Sequence, residues 1–117
     1  TGRQARAPGY LIGGKTGTAE KASGGGYRST ALISSFIAAF PMTAPKYIVY
    51  LLLDEPQGDA ETHGYATAGW TAAPLVGRVV SRIAPILGVQ PLDDAAAPIK
   101  RAMAMPLFSR KRRSAVN

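Results

Sequence analysis

Cysteine is absent from this sequence, which excludes disulfides and thiolate-bound metal and leaves the redox compartment open. His63 is the single histidine, so no histidine pair exists to build a metal site, and a structural or exposed role is expected for it. No apolar run approaches the roughly 20 residues a membrane-spanning helix requires, so the chain as given is expected to be soluble. A secretory signal is also missing, but the first residue is Thr1 and not Met, so that absence is uninformative about targeting. Acidic residues are missing from the end of the chain. Six of its fourteen Lys and Arg lie after residue 99 with no acid among them, which leaves eight bases against seven acids in residues 1–99. The formal charge of +7 is therefore no nucleic-acid signature of the body, and no nucleic-acid partner is expected.

What is present fits one domain. With 117 residues, 46% of them apolar, a compact unit would bury roughly two-thirds of its unfolded surface. Three regions follow from the composition. Residues 1–8, TGRQARAP, are polar, end in proline and read as a loop or edge. Residues 9–94 carry the ordered elements, and residues 95–117 read as a basic, solvated and disordered tail.

Within the middle region an extended segment begins at residues 10–12 and continues through GGKTGTA, where threonines favour strand and glycines permit close backbone approach. KASGGGYRS, with three consecutive glycines, reads as a turn. Residues 29–40 (STALISSFIAAF) and 46–54 (KYIVYLLLD) are apolar runs of strand length, separated by a link too short for a parallel crossover. The expected class is α+β: a three-stranded antiparallel meander followed by an amphipathic helix over about residues 67–87. Ala72, Leu75, Val76, Val79, Ile83, Ile86 and Leu87 are spaced for its apolar face, and Gly88 is placed to stop it. Trp70 is expected to anchor that helix on the sheet, and Asp54 and Glu55 to end a strand and open a turn.

GYLIGGKT, residues 9–16, satisfies the phosphate-loop pattern G-x-x-x-x-G-K-[ST], which raises a P-loop NTPase as one reading. Such a loop needs a buried strand before it and a helix starting at its lysine, because backbone N–H groups and the positive helix end hold the phosphates. TGRQARAP is no strand and TGTAEKASGGG cannot make a stable helix, so the match is treated as coincidence.

Shifted by a few letters, Lys15-Thr16-Gly17-Thr18 on a strand resembles the Lys-Thr-Gly element of the penicillin-recognising serine acyl enzymes. The flanking GYLIGGKTGTAEK, the glycine-rich turn, the runs ending AAFP and LDEPQG, and AGWTAAPLVGRVVSRI resemble the C-terminal end of a class B penicillin-binding protein, the division-specific peptidoglycan transpeptidases above all. The resemblance covers residues 9–94. It implies that Lys15 supplies positive charge for a substrate's terminal carboxylate and Thr16 a hydroxyl to bond it. Gly17 would let the acyl donor lie along the strand. Thr18 would lend its backbone N–H to an oxyanion hole and its side chain to the carboxylate. The implied partners are a stem peptide ending in D-Ala-D-Ala, β-lactams, the upstream part of the same domain and division-complex membrane proteins. No cofactor or metal is implied, and the parent would sit at the periplasmic face of a bacterial inner membrane.

The family's Ser-x-x-Lys nucleophile motif is absent, and so is Ser-x-Asn, since the sole asparagine is Asn117. The chain alone is expected to be inactive, a carboxylate-binding edge whose serine lies in an upstream segment. The alternative reading is a non-catalytic fragment or binding module that associates through an exposed sheet edge.

Overall fold

The computed structural model of the protein describes residues 2–92. The basic tail expected over residues 95–117 lies outside them. Three strands, β1 (Gly13–Ser23), β2 (Gly26–Phe40) and β3 (Tyr47–Asp54), form an antiparallel sheet in the order β1-β2-β3, and one helix, α1 (Ala72–Ile86), follows. A 3-10 turn at Gly2–Gln4 precedes them, and an isolated bridge joins Ala7 to Tyr10. The expected class and meander are as observed.

The turn between β1 and β2 is far tighter than expected. The chain reverses in two residues, Gly24 and Gly25, both with positive φ, and Ser23 pairs directly with Gly26. Positive φ at both central positions matches the right-handed strand twist, so two glycines suffice where nine residues had read as turn. Both strands are extended at the hairpin end as a result. At its other end β1 begins later than expected, because Tyr10 is bridged to Ala7 and the Leu11 carbonyl accepts from the Met42 N–H.

Pairing sets which residues share a face, since side chains alternate along a strand. Thr16 lies opposite Phe36 and Thr18 opposite Ser34, while β2 in turn sets Phe36 against Leu51 and Ala38 against Val49. That face carries α1. Phe36, Ala38 and Phe40 are buried under Ala72, Ala73, Val76, Val80 and Ala84, with Tyr47, Val49, Leu51 and Leu53 packed around them. The other face, with Ile37, Ile48, Tyr50 and Leu52, is uncovered among the described residues, and Ile48 is 71% exposed.

The buried stripe of α1 differs from the expected one. Ala72, Ala73, Val76, Gly77, Val80 and Ala84 are buried, whereas Leu75, Val79 and Ile83 are only half-buried and Ile86 is 83% exposed. Small residues win because the helix lies close against its neighbours: a Cβ at Gly77 would stand 2.5 Å from the Arg6 carbonyl oxygen. The helix also starts later than expected. Residues 67–71 form a turn in which the Thr67 carbonyl accepts from the N–H groups of Trp70 and Thr71.

Gly88 ends the helix as expected. With φ of +75° it lets the Val89 N–H reach the Ala84 carbonyl and its own N–H reach that of Pro85. The chain then returns to the start of the sheet, where the Leu92 N–H donates to the Gly9 carbonyl at 2.7 Å.

Candidate functional site

Lys15, Thr16, Gly17 and Thr18 occupy consecutive positions on β1, which is an edge strand of the described sheet. An edge strand offers backbone N–H and C=O groups that an extended peptide can pair with. No helix starts at Lys15, so the phosphate-loop geometry is absent and the pattern match is indeed fortuitous.

The four residues divide between the two faces of the sheet. Thr16 and Thr18 belong to the helix-covered face, and Lys15 and Gly17, paired with Ile37 and Ser35, belong to the bare one. The exposed Lys15 ammonium donates to its neighbour's carbonyl oxygen, that of Thr16, at 2.9 Å. This contact is local and solvated, so the charge is not committed to any acid.

Gly14 and Gly17 are explained by crowding and not by the bulge that glycines here could signal. The bulge of β1 lies further on, between Glu20 and Lys21. A Cβ at Gly14 would stand 2.4 Å from the Phe36 ring and 2.5 Å from the Ile37 carbonyl oxygen. At Gly17 it would stand 2.7 Å from the Ser35 hydroxyl, which donates to the Gly17 carbonyl at 3.3 Å. Glycine at these two positions therefore lets β2 close on β1 beside the motif.

Beyond Thr18 the strand meets the loop that leads into α1. The Thr18 hydroxyl oxygen accepts the Ala68 N–H at 3.1 Å. Ser34, fully buried and directly opposite Thr18, donates its hydroxyl to the Ala66 carbonyl at 2.7 Å. Thr71, buried at the helix start, donates toward the carbonyls of both Ala66 and Thr67. Its hydroxyl thus serves the loop and leaves the helix without a side-chain cap. Ser34 and the Ala68 amide carry no local sequence signal, because their partners lie 32 and 50 residues away, while the Thr71 bonds are local to the loop. They were not anticipated from the sequence.

The aromatic residues of this loop cluster on one another. Trp70 stacks on Tyr65 at 5.6 Å between ring centroids and meets His63 edge-on at 5.3 Å. Trp70 therefore braces the loop before α1 and does not anchor the helix on the sheet, contrary to expectation. His63 is exposed and takes a positive φ of 53°.

At the hairpin end Lys21 lies 3.0 Å from Asp54 and 3.4 Å from Glu55, which close β3. Hydrogen bonding to Asp54 raises the Lys21 pKa above its ordinary value; partial desolvation opposes this and Glu55 adds to it. The acids expected to end a strand thus also tie β3 to β1 across β2. A cavity of about 240 Å³ between Leu11, Pro41, Tyr47 and Val89 lies at the opposite end and includes none of residues 15–18.

A three-stranded antiparallel sheet followed by one helix is a partial form of the fold seen in penicillin-binding protein transpeptidase domains. Residues 1–79 match the penicillin-binding protein transpeptidase domain, and the chain belongs to that family. It is 48% identical over 96 residues to a probable peptidoglycan D,D-transpeptidase FtsI of Caulobacter vibrioides, a match that covers 77% of this chain and 16% of that protein. It is 42% identical over 91 residues to stage V sporulation protein D of Bacillus subtilis, covering 78% of this chain and 13% of that protein. The chain thus spans about a sixth or less of these relatives. Among solved structures it resembles the transpeptidase domain of Burkholderia pseudomallei penicillin-binding protein 3, with a TM-score of 0.61 and 35% identity over 75% of this chain and 25% of that one. It also resembles Mycobacterium tuberculosis penicillin-binding protein 3 complexed with ampicillin, with a TM-score of 0.65 and 26% identity over 84% of this chain and 21% of that one.

Proposed function

We propose that this chain is the C-terminal portion of a serine-type peptidoglycan D,D-transpeptidase, and that β1 is the strand along which its acyl donor binds. The observation that carries this reading is the placement of Lys15, Thr16, Gly17 and Thr18 on an edge strand whose outer side no described strand occupies. An extended stem peptide ending in D-Ala-D-Ala pairs with that edge. Its terminal carboxylate meets the Thr16 and Thr18 hydroxyls, with the Lys15 ammonium supplying charge across the edge. The Thr18 backbone N–H contributes one donor of an oxyanion hole, stabilising charge as it develops on the penultimate D-Ala carbonyl oxygen.

The nucleophile comes from upstream in the same domain, since no serine of this chain has a lysine three residues on. That serine attacks the penultimate D-Ala carbonyl, D-Ala leaves as the free amine, and a neighbouring amine takes the acyl group and frees the serine. A β-lactam follows the first half of this course and stays as the acyl-enzyme. The bare apolar face with Ile37, Ile48, Tyr50 and Leu52 supports a larger whole, because a sheet with one face unfilled requires further polypeptide to cover it. The complete enzyme acts at the periplasmic face of the inner membrane during cell division, and this chain by itself is inactive. Among the described residues no helix is long and apolar enough to cross a membrane.

Fluorescent-penicillin labelling tests the reading on the complete gene product, with Lys15→Ala in parallel and the isolated chain as control. Label on the complete product, reduced at least tenfold by Lys15→Ala and absent from the isolated chain, is the expected result. A complete product that stays unlabelled at saturating drug overturns it.

A further inference from the structure

The Thr18 hydroxyl has one hydrogen to give and two lone pairs to receive with. One lone pair is engaged by the Ala68 N–H at 3.1 Å, and among the described residues no acceptor is found for its hydrogen. The Ala68 amide thus closes one staggered direction to that hydrogen and turns it away from the loop. Ala68 is itself held two residues upstream, where the Ala66 carbonyl accepts from Ser34 at 2.7 Å and from Thr71 at 3.2 Å. Ser34 is fully buried, lies directly across β1–β2 from Thr18, and makes the shorter of the two bonds. Residues 66–68 are therefore fastened to one cross-strand pair at both ends, to Ser34 through a carbonyl and to Thr18 through an amide.

We propose that Ser34 is a positioning residue for carboxylate recognition: by fixing Ala66 it places the Ala68 N–H on the Thr18 oxygen, which turns the Thr18 hydrogen toward the carboxylate of the acyl donor. This rests on the transpeptidase reading above. A serine hydroxyl suits the task, because it is short enough to be enclosed by the core and still presents a donor to one backbone carbonyl. Loss of that bond leaves Thr71 holding Ala66, so the loop persists but its amide is free to shift from Thr18.

The test is made on the complete gene product with Ser34→Ala, Thr18→Val and the double variant. Noncovalent affinity and acylation rate constant are measured separately for benzylpenicillin and for its methyl ester, which lacks the free carboxylate. Thr18→Val should weaken benzylpenicillin affinity about tenfold or more, as expected of one hydrogen bond to a charged acceptor, and Ser34→Ala about three- to tenfold, with little change in the ester's affinity. The double variant should be no weaker than Thr18→Val alone. Should Ser34→Ala fail to fold, Ser34→Cys, of similar size and with a feeble donor, carries the same comparison. Equal losses for acid and ester, additive losses in the double variant, or unchanged affinity in the Ser34 variants would overturn the proposal alone. An unaltered product that takes no penicillin would overturn the transpeptidase reading with it.

Discussion

The two faces of the sheet are built from alternate residues of the same three strands, yet they are in different states. On one, Phe36 and Phe40 are at most 1% exposed beneath Val76 and Val80, and the packing is finished. On the other, Ile37, Tyr50 and Leu52 are at least 45% exposed although they are as apolar as their neighbours. Hydrophobicity without a covering layer gains nothing, and among the described residues no such layer is found on this face; under the proposed function it is where the rest of the domain packs. Strand β1 lies at the boundary: Thr16 and Thr18 belong to the finished face, and Lys15 and Gly17 to the unfinished one.

The contrast can be broken most strongly on the finished face. Phe36→Ala removes a ring from a closed core and should cost about 3–5 kcal/mol, seen as a large fall in melting temperature of the complete gene product. A subtler test targets the bare face. Leu52→Asp should cost the complete product about 2–4 kcal/mol, as a carboxyl would be driven under the covering layer, while the isolated chain should become more soluble. Equal behaviour in both settings would mean that nothing covers this face. The smallest effect is expected where a solvated ion pair spans the strands. The Lys21 pKa is raised in the fold, so the stabilisation it gives is complete below the ordinary lysine value of 10.5 and is lost as pH rises through the raised one. Replacing Lys21 by Met should lower the melting temperature only slightly, and that difference should shrink with added salt and vanish at strongly alkaline pH.

Much of this arrangement is legible in the sequence because the informative signals are local. The apolar runs around Phe36 and Leu51 announce β2 and β3, the short link between them fixes their antiparallel sense, and Gly88 marks the helix end. The motif residues are legible for the same reason, being four consecutive letters. Illegible features depend on the backbone conformation a residue takes or on where its partners lie in space. The hairpin is narrower than its composition suggests, because three glycines in a row do not reveal which two take positive φ. Ile86 has the spacing of a buried residue but lies in the last turn, past the edge of the surface the helix covers. Trp70 is expected to anchor the helix on the sheet, whereas its ring partners are Tyr65 and His63, and nothing in the residue type distinguishes the two. The fastening of residues 66–68 through Ser34 and Thr18 crosses 32 and 50 residues and has no pattern in the chain.

The hydrogen bond from the Leu92 N–H to the Gly9 carbonyl brings the segment after α1 back beside the segment before β1, away from the hairpin. Ala5 and Ala7 share the buried core with α1, and the Arg6 carbonyl abuts Gly77, so the packing of this region survives an exchange only if residues 5–7 travel with it. Chimaeras that exchange residues 2–92 between related transpeptidases would carry the edge strand, its fastened loop and its helix together as one inheritance.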